Sequence, residues 1–328
     1  MTVLSPDRPH PPAPARRARP ALPMSSALIA LIALIIFNAL TTPRFLTVNT
    51  LNLNLTQTAT IVIVGIGMTF VIATRGIDLS VGSLMAIGGA IAPLLFLNPA
   101  LDGPSGVILA IVVPLVVTGL LGLFNGALVT RFQIQPIIAT LVLFIAGRGI
   151  AQVISHGSLV NFTEPAFSAL GTGRVLGLNV QVYLMLALLA VATWVLRDTL
   201  FGRQVIAVGG NPEAARLAGV PSDRVRLIVY TISGVLAGLA GLIVIAINSS
   251  SDSNLVGQNM ELDAIAAVAV GGTALAGGRV TMLGTLIGAL FIQLLRYTLL
   301  VKGVPDDVAL MVKAAIIIGA VALQARRR

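Results

Sequence analysis

No cysteine occurs in the 328 residues, which excludes disulfides, thiolate nucleophiles and cysteine-bound metals. Histidine is nearly as scarce. His10 lies in a polar N-terminal stretch and His156 in a loop, so a histidine-rich metal centre is not expected either. Charged residues make up only 10% of the chain, against roughly a quarter in an ordinary globular domain. No Gly-x-x-x-x-Gly-Lys-Ser/Thr loop is present, so ATP is not bound through a P-loop. Neither a Gly-x-Ser-x-Gly elbow nor a His-Glu-x-x-His pair occurs. With these histidines no nucleophile–base pair is evident. Neither enzyme activity nor a cofactor or metal is expected of the chain itself.

What the chain has is apolar length. Hydrophobic residues reach 56%, with 33 glycines. A β-barrel would alternate apolar and polar residues over segments of about ten, and these runs are unbroken. The expected class is an all-α polytopic membrane protein. The hydrocarbon core needs roughly 20 apolar residues per spanning helix. Ten candidate spans run near 22–40, 52–73, 80–97, 106–130, 135–154, 179–196, 227–248, 264–278, 281–299 and 308–325. The third and eighth are glycine-rich, and a re-entrant or broken form is the alternative for both. Residues 22–325 form a single transmembrane domain in this reading. A Pro/Arg-rich tail, 1–21, expected to be disordered, precedes it, and a basic end, 326–328, follows. The first apolar run has no small-residue cleavage site and is read as a retained helix.

The net charge of +9 sits beside apolar segments, where basic residues set orientation in a membrane rather than contact nucleic acid. With the N-terminus inside, the inner segments hold 15 of the 21 basic residues. The outer segments hold only Arg44, Arg174 and Lys302, and Arg148, Arg296 and Lys313 fall within spans. Both termini are therefore expected in the cytoplasm of a bacterial cell bounded by this inner membrane. For Arg296 the expectation is snorkelling to the interface. Arg148 and Lys313 stay open.

Two stretches resemble each other at an offset of 183 residues. One runs from Asp78 through Ser80 to Gly88 and Gly89; the other runs from Glu261 through Asp263 to Gly271 and Gly272. The first follows span two at the inner face and the second follows span seven at the outer face. Five-span units repeated in tandem must be inverted, a recurring construction in transporters; a chance match is the alternative. The acids Asp78 and Glu261 are expected to pin the ends of these segments. Three glycine pairs one turn apart, Gly122 with Gly126, Gly234 with Gly238 and Gly284 with Gly288, read as packing ridges.

All twelve acids fall in tails, loops or span ends, which weakens an ion-coupled mechanism. Neutral hydrogen-bonding groups remain within or beside spans. Asn54, Gln57, Asn125 and Gln152 are candidates for a path suited to a neutral polyhydroxyl cargo, as are Asn52, Gln135 and Gln293. Interhelical hydrogen bonding is the alternative for each. In the longest inner loop, 197–226, Asn211 is placed as an N-cap, Pro212 at the first helical position and Glu213 in the first turn. Gly219 ends the helix. The expected short helix, Pro212 to Ala218, suits docking into a partner's groove.

Glu213, Ala214, Ala215 and Gly219 resemble the EAA coupling motif of ABC importer permeases. Residues 76–83, 201–220 and 261–279 look like the ribose, xylose and galactofuranose branch of those permeases, a similarity covering the chain from about residue 50 onward. The resemblance implies a fold of two inverted five-helix repeats similar to vitamin-B12-type importers. It implies a second permease subunit, identical or related, two ABC ATPase subunits coupled through the short helix, and a periplasmic or surface solute-binding protein. The outer loops 156–178 and 250–262, with Glu164 and Asp252, are the candidates for docking that protein. Two departures stand out. Arg75 occupies a place where the family commonly has glycine; it is read as a contact to lipid phosphate or to the ATPase, or as a residue obeying the positive-inside rule. The coupling motif also lacks its Ile-x-Leu-Pro continuation. The remaining alternatives are an ion-coupled secondary transporter working alone and a scaffolding membrane subunit.

Overall fold

The computed structural model describes residues 23–101 and 103–325; the tail 1–21 and the end 326–328 lie outside them. Thirteen α-helices occur among the described residues: α1 (Pro23–Thr41), α2 (Val48–Ala73), α3 (Val81–Phe96), α4 (Pro104–Thr130), α5 (Pro136–Ile154), α6 (Pro165–Thr172), α7 (Val180–Asp198), α8 (Leu200–Gly210), α9 (Pro212–Leu217), α10 (Ser222–Asn248), α11 (Met260–Val270), α12 (Met282–Val301) and α13 (Asp306–Ala325). Four two-residue strands, β1 (Val160–Asn161), β2 (Arg174–Val175), β3 (Leu178–Asn179) and β4 (Ser250–Ser251), make two antiparallel pairs, β1 with β4 and β2 with β3.

Every expected span meets a helix, but not every helix has spanning length. Six of the described helices are long and apolar enough to cross a membrane: α2, α4, α5, α7, α10 and α12. At 1.5 Å per residue α3 reaches about 24 Å and α11 about 17 Å, short of a core about 30 Å thick. The expectation of a helix over 264–278 is corrected. α11 ends at Val270, and 271–281 is an irregular turn, because Gly271, Gly272, Gly277 and Gly278 give that stretch little helical propensity.

The burial pattern separates a centre from a rim. Every residue of α2 from Thr58 to Ala73 is buried, as is most of the facing side of α10. By contrast α4 exposes Ile108, Val112, Val116 and Leu120 at four-residue spacing. That outward stripe is apolar, as lipid or a second membrane chain requires. α4 and α10 cross where Gly122 meets Gly234: a methyl group on Gly122 would fall 3.1 Å from the Gly234 Cα. The glycine pairs of the sequence therefore serve packing.

The two ends of the bundle differ. One carries both strand pairs, the Phe96–Phe162–Phe167 aromatic cluster, Arg44 and Arg174. At the other, α2, α4 and α8 end and α5, α9 and α10 begin, and Arg75, Arg131, Arg203, Arg216, Arg224 and Arg226 gather there.

Candidate functional site

The loop 197–226 holds two helices. Sequence reasoning found only the second. α8 was legible in retrospect: Thr199 Oγ1 accepts from the Gly202 amide at 3.1 Å, and Val205 and Val208, one turn apart, are buried. α9 begins as expected. Asn211 Oδ1 accepts from the amides of Glu213 and Ala214 at 3.0 and 3.1 Å, and Pro212 takes the first position, where no amide proton is needed. Ala215 is buried, while Glu213 and Arg216 form an exposed ion pair at 3.2 Å. Gly219 adopts φ +80°, which a side chain disfavours, and turns the chain toward α10.

Behind α9 three segments meet. Arg75 Nε donates to the Gly209 carbonyl at 2.7 Å, and its Nη2 donates to the Gly210 carbonyl. Arg75 thus caps the negative end of α8. The Gly278 amide donates to the Ala73 carbonyl at 3.1 Å. A methyl group on Gly209 would fall 1.7 Å from that same carbonyl oxygen. The last turn of α2, the last turn of α8 and the turn after α11 therefore touch through backbone, with no room for side chains. The contact found for Arg75 lies within the chain, to Gly209 and Gly210, and was not among the roles expected from the sequence.

Arg75 is three residues from Asp78, the first acid of the repeated motif. Asp78 is fully buried. Its Oδ1 accepts from the Ser80 amide and hydroxyl at 3.0 and 2.6 Å, and its Oδ2 accepts from Ser233 of α10 at 2.7 Å. Asn125 of α4 donates to the Ser80 hydroxyl at 2.9 Å. One carboxylate thus ties the α2–α3 link to two other helices. Farther along α3, the Gly89 carbonyl accepts from Ser251 at 2.8 Å, and Gly88 lies against Gly238 of α10.

The second motif is placed differently from its sequence reading. Glu261 lies in the first turn of α11, with Oε2 2.5 Å from where a methyl group on Gly82 would sit, in the first turn of α3. The starts of the two short helices are thus together, and the carboxylate sits at the electropositive end of α3. Asp263, read as lying at a span end, is in the first turn of α11, where it is buried and pairs with Lys313 of α13 at 2.6 Å. Gly271 packs on Gly284 of α12, and Gly272 takes φ +91°. Arg148 donates to the Ser253 and Val256 carbonyls at 2.7 and 2.6 Å. Both residues left open by the sequence, Arg148 and Lys313, therefore have partners inside the chain.

The four polar path candidates are not brought together. Asn125 belongs to the Asp78 network. Gln152 donates to Asn254 at 2.7 Å on an exposed surface. Asn54 donates to the Thr50 carbonyl at 2.9 Å, one turn earlier in α2, and Gln57 is half-buried on the same helix. The docking candidates fare better, since β1 and β4 join 156–178 to 250–262. Within the second loop Ser251, Ser253 and Val256 are buried, while Asn254, Leu255 and Gln258 are exposed.

The family described as branched-chain amino acid transport system / permease component matches residues 50–321. The ribose import permease protein RbsC of Escherichia coli (strain K12) is 40% identical over 291 residues, covering 88% of this chain and 89% of that protein. The galactofuranose transporter permease protein YtfT of the same strain is 42% identical over 264 residues, 80% of this chain and 75% of that protein. The L-arabinose ABC transporter permease protein AraH of Azospirillum brasilense is 33% identical over 290 residues, with 88% and 84% covered. No solved structure matches.

Proposed function

The chain belongs to the family of branched-chain amino acid transport system permease components, and on that premise we propose that it forms the membrane path of an ATP-driven monosaccharide importer. It is a transport permease subunit rather than an enzyme. A pentose or hexose cargo is favoured over an amino acid because the similar permeases named for a cargo are named for ribose, galactofuranose and arabinose. In this reading a solute-binding protein delivers sugar to the end bearing the strand pairs, and separate ABC ATPase subunits dock at the end bearing α8 and α9. A second permease subunit completes the path against the exposed apolar faces, with lipid covering the rest.

The observation that carries the coupling role is the chain of contacts from α9 to the bundle centre. Glu213 is exposed to a partner while Ala215 is anchored, and α8 ends on Arg75, three residues before the buried Asp78. Asn211, Pro212, Ala214 and Gly219 shape the helix that a partner would move. The gathering of arginines at this end supports a cytoplasmic placement for it and for both termini. The ten-helix architecture, as two inverted units in one domain over 22–325, is supported by the motif pair Asp78–Gly89 and Glu261–Gly272.

The experiment is a tagged pull-down from native membranes in mild detergent. Recovery of a P-loop ATPase is the expected result. No ATPase under conditions that preserve a control complex, together with gradient-driven uptake in liposomes by the chain alone, would replace this reading with an ion-coupled transporter.

A further inference from the structure

A cavity of about 190 Å³ opens at the arginine-rich end of the bundle, between the segment just after α2, the link from α4 to α5, and the first three turns of α10. Its walls carry Arg75 and Gly76 from the first of these, Gln133 and Gln135 from the second, and Arg226 and Tyr230 from the third. Tyr230 is 1% exposed, and its hydroxyl has no hydrogen-bond partner among the described residues. The hydroxyl lies against Gly76, where a methyl group would come within 2.5 Å of it. An orphaned buried hydroxyl is uncommon in a folded chain, and here it borders open space.

The charge balance of this cavity is one-sided. Two arginines are among its lining residues and no acidic residue is. Arg75 spends Nε and Nη2 on α8, which leaves Nη1 free. The nearby carboxylate, Asp78, is turned into the bundle, with its oxygens taken by Ser80 and Ser233. The α5 start, with Gln135 as N-cap and Pro136 at the first position, adds the positive end of a helix. Water would satisfy Tyr230 but would leave both guanidiniums without a counter-charge. A group with several anionic oxygens satisfies the whole set, since guanidinium forks match phosphate oxygens. The position fits as well. The outward apolar stripe of α4 gives way here to Arg131, a residue type found at the headgroup level of a membrane. Basic pockets between transmembrane helices at that level hold lipid head groups.

We propose that this cavity binds a phosphate group through Arg226, Arg75 and the Tyr230 hydroxyl. The group is supplied by an anionic phospholipid headgroup or by a soluble phosphate. The site does not depend on the identity of the transported cargo, so its test is separate from that of the transport reading.

The full-length chain, purified in detergent, is titrated with dioleoylphosphatidylglycerol and, in parallel, with dioleoylglycerol, which has the same chains and no phosphate. Bound lipid is counted by native mass spectrometry. Phosphatidylglycerol is expected to bind and dioleoylglycerol is not. R226Q and Y230F are each expected to weaken binding roughly tenfold, the loss of one hydrogen bond to a charged group. R226K recovers part of the loss, and R296Q, on the exposed face of α12, leaves binding unchanged. Y230F removes one oxygen without changing the packing, so it remains informative should R226Q fail to fold. A second arm adds millimolar inorganic phosphate alone and follows thermal stability. Stabilisation of the wild type that is lost in Y230F assigns the site to soluble phosphate; lipid binding that phosphate does not displace assigns it to the headgroup. Equal affinity of both variants and the wild type for phosphatidylglycerol, with no stabilisation by phosphate, overturns the proposal.

Discussion

Arg75 Nε sits 2.7 Å from the Gly209 carbonyl oxygen, so the end of α2 holds the end of α8 although 134 residues separate them. Because only Asn211 separates α8 from α9, this bond and the one to Gly210 link the exposed helix to the segment that carries the buried Asp78. It also explains why an arginine is tolerated where φ is +66°: the guanidinium reaches the α8 carbonyls from that backbone position.

Arg75→Ala should separate energy use from transport. In a reconstituted complex, sugar uptake is expected to fall at least tenfold, the scale of losing a charge-assisted hydrogen bond. ATP hydrolysis by the partner should continue without responding to loaded binding protein. Arg75→Lys should restore part of the uptake. Normal uptake by the alanine variant would show that α8 is held by other contacts.

Gly209→Ala and Gly210→Ala, adjacent on α8, should behave oppositely. The first would place a methyl group 1.7 Å from the Ala73 carbonyl oxygen; the second meets nothing within 4 Å. Overpacking of this kind costs about 1–3 kcal/mol or more, and the expected readout is a lowered thermal midpoint in detergent for Gly209→Ala alone.

Lys313 and Asp263 are both nearly buried, with side chains 10% and 7% exposed. Removing either partner strands the other, at a cost of about 3–5 kcal/mol. Lys313→Met and Asp263→Leu singly should therefore destabilise strongly. The double variant should recover most of the loss, because an apolar pair needs no desolvation of charge. Thermal denaturation of the four proteins tests the cycle.

Glu213→Gln should leave stability unchanged within about 0.5 kcal/mol, since its pair with Arg216 is exposed and such pairs contribute little. Its effect, if α9 docks into an ATPase, is on uptake and on co-purification of that partner. Unchanged uptake and unchanged recovery of the ATPase would remove Glu213 from the coupling surface.

Sequence and structure agree most closely at α9. Its cap, its first proline and its terminating glycine all act over two or three residues, so Asn211-Pro212-Glu213 specifies a helix start in any tertiary setting. The same locality made the helical segments legible. The missed helix α8 had a comparable cap in Thr199, but its apolar residues read as loop once the neighbouring arginines were assigned to an inner connection.

What the sequence by itself determined was the membrane class, the helical segments, the asymmetry of basic charge and the local form of α9. Only the tertiary structure decided which charges pair. Asp263 finds Lys313 at a separation of 50 residues, and Asp78 finds Ser233 at 155. Hydrophobic periodicity locates the inner face of a helix when water is the solvent outside. Here lipid makes both faces apolar, so the pattern along one helix carries little record of its neighbour. The close approaches of backbone at Ala73, Gly209 and Gly278 fix those neighbours, and they exist only after the helices have packed.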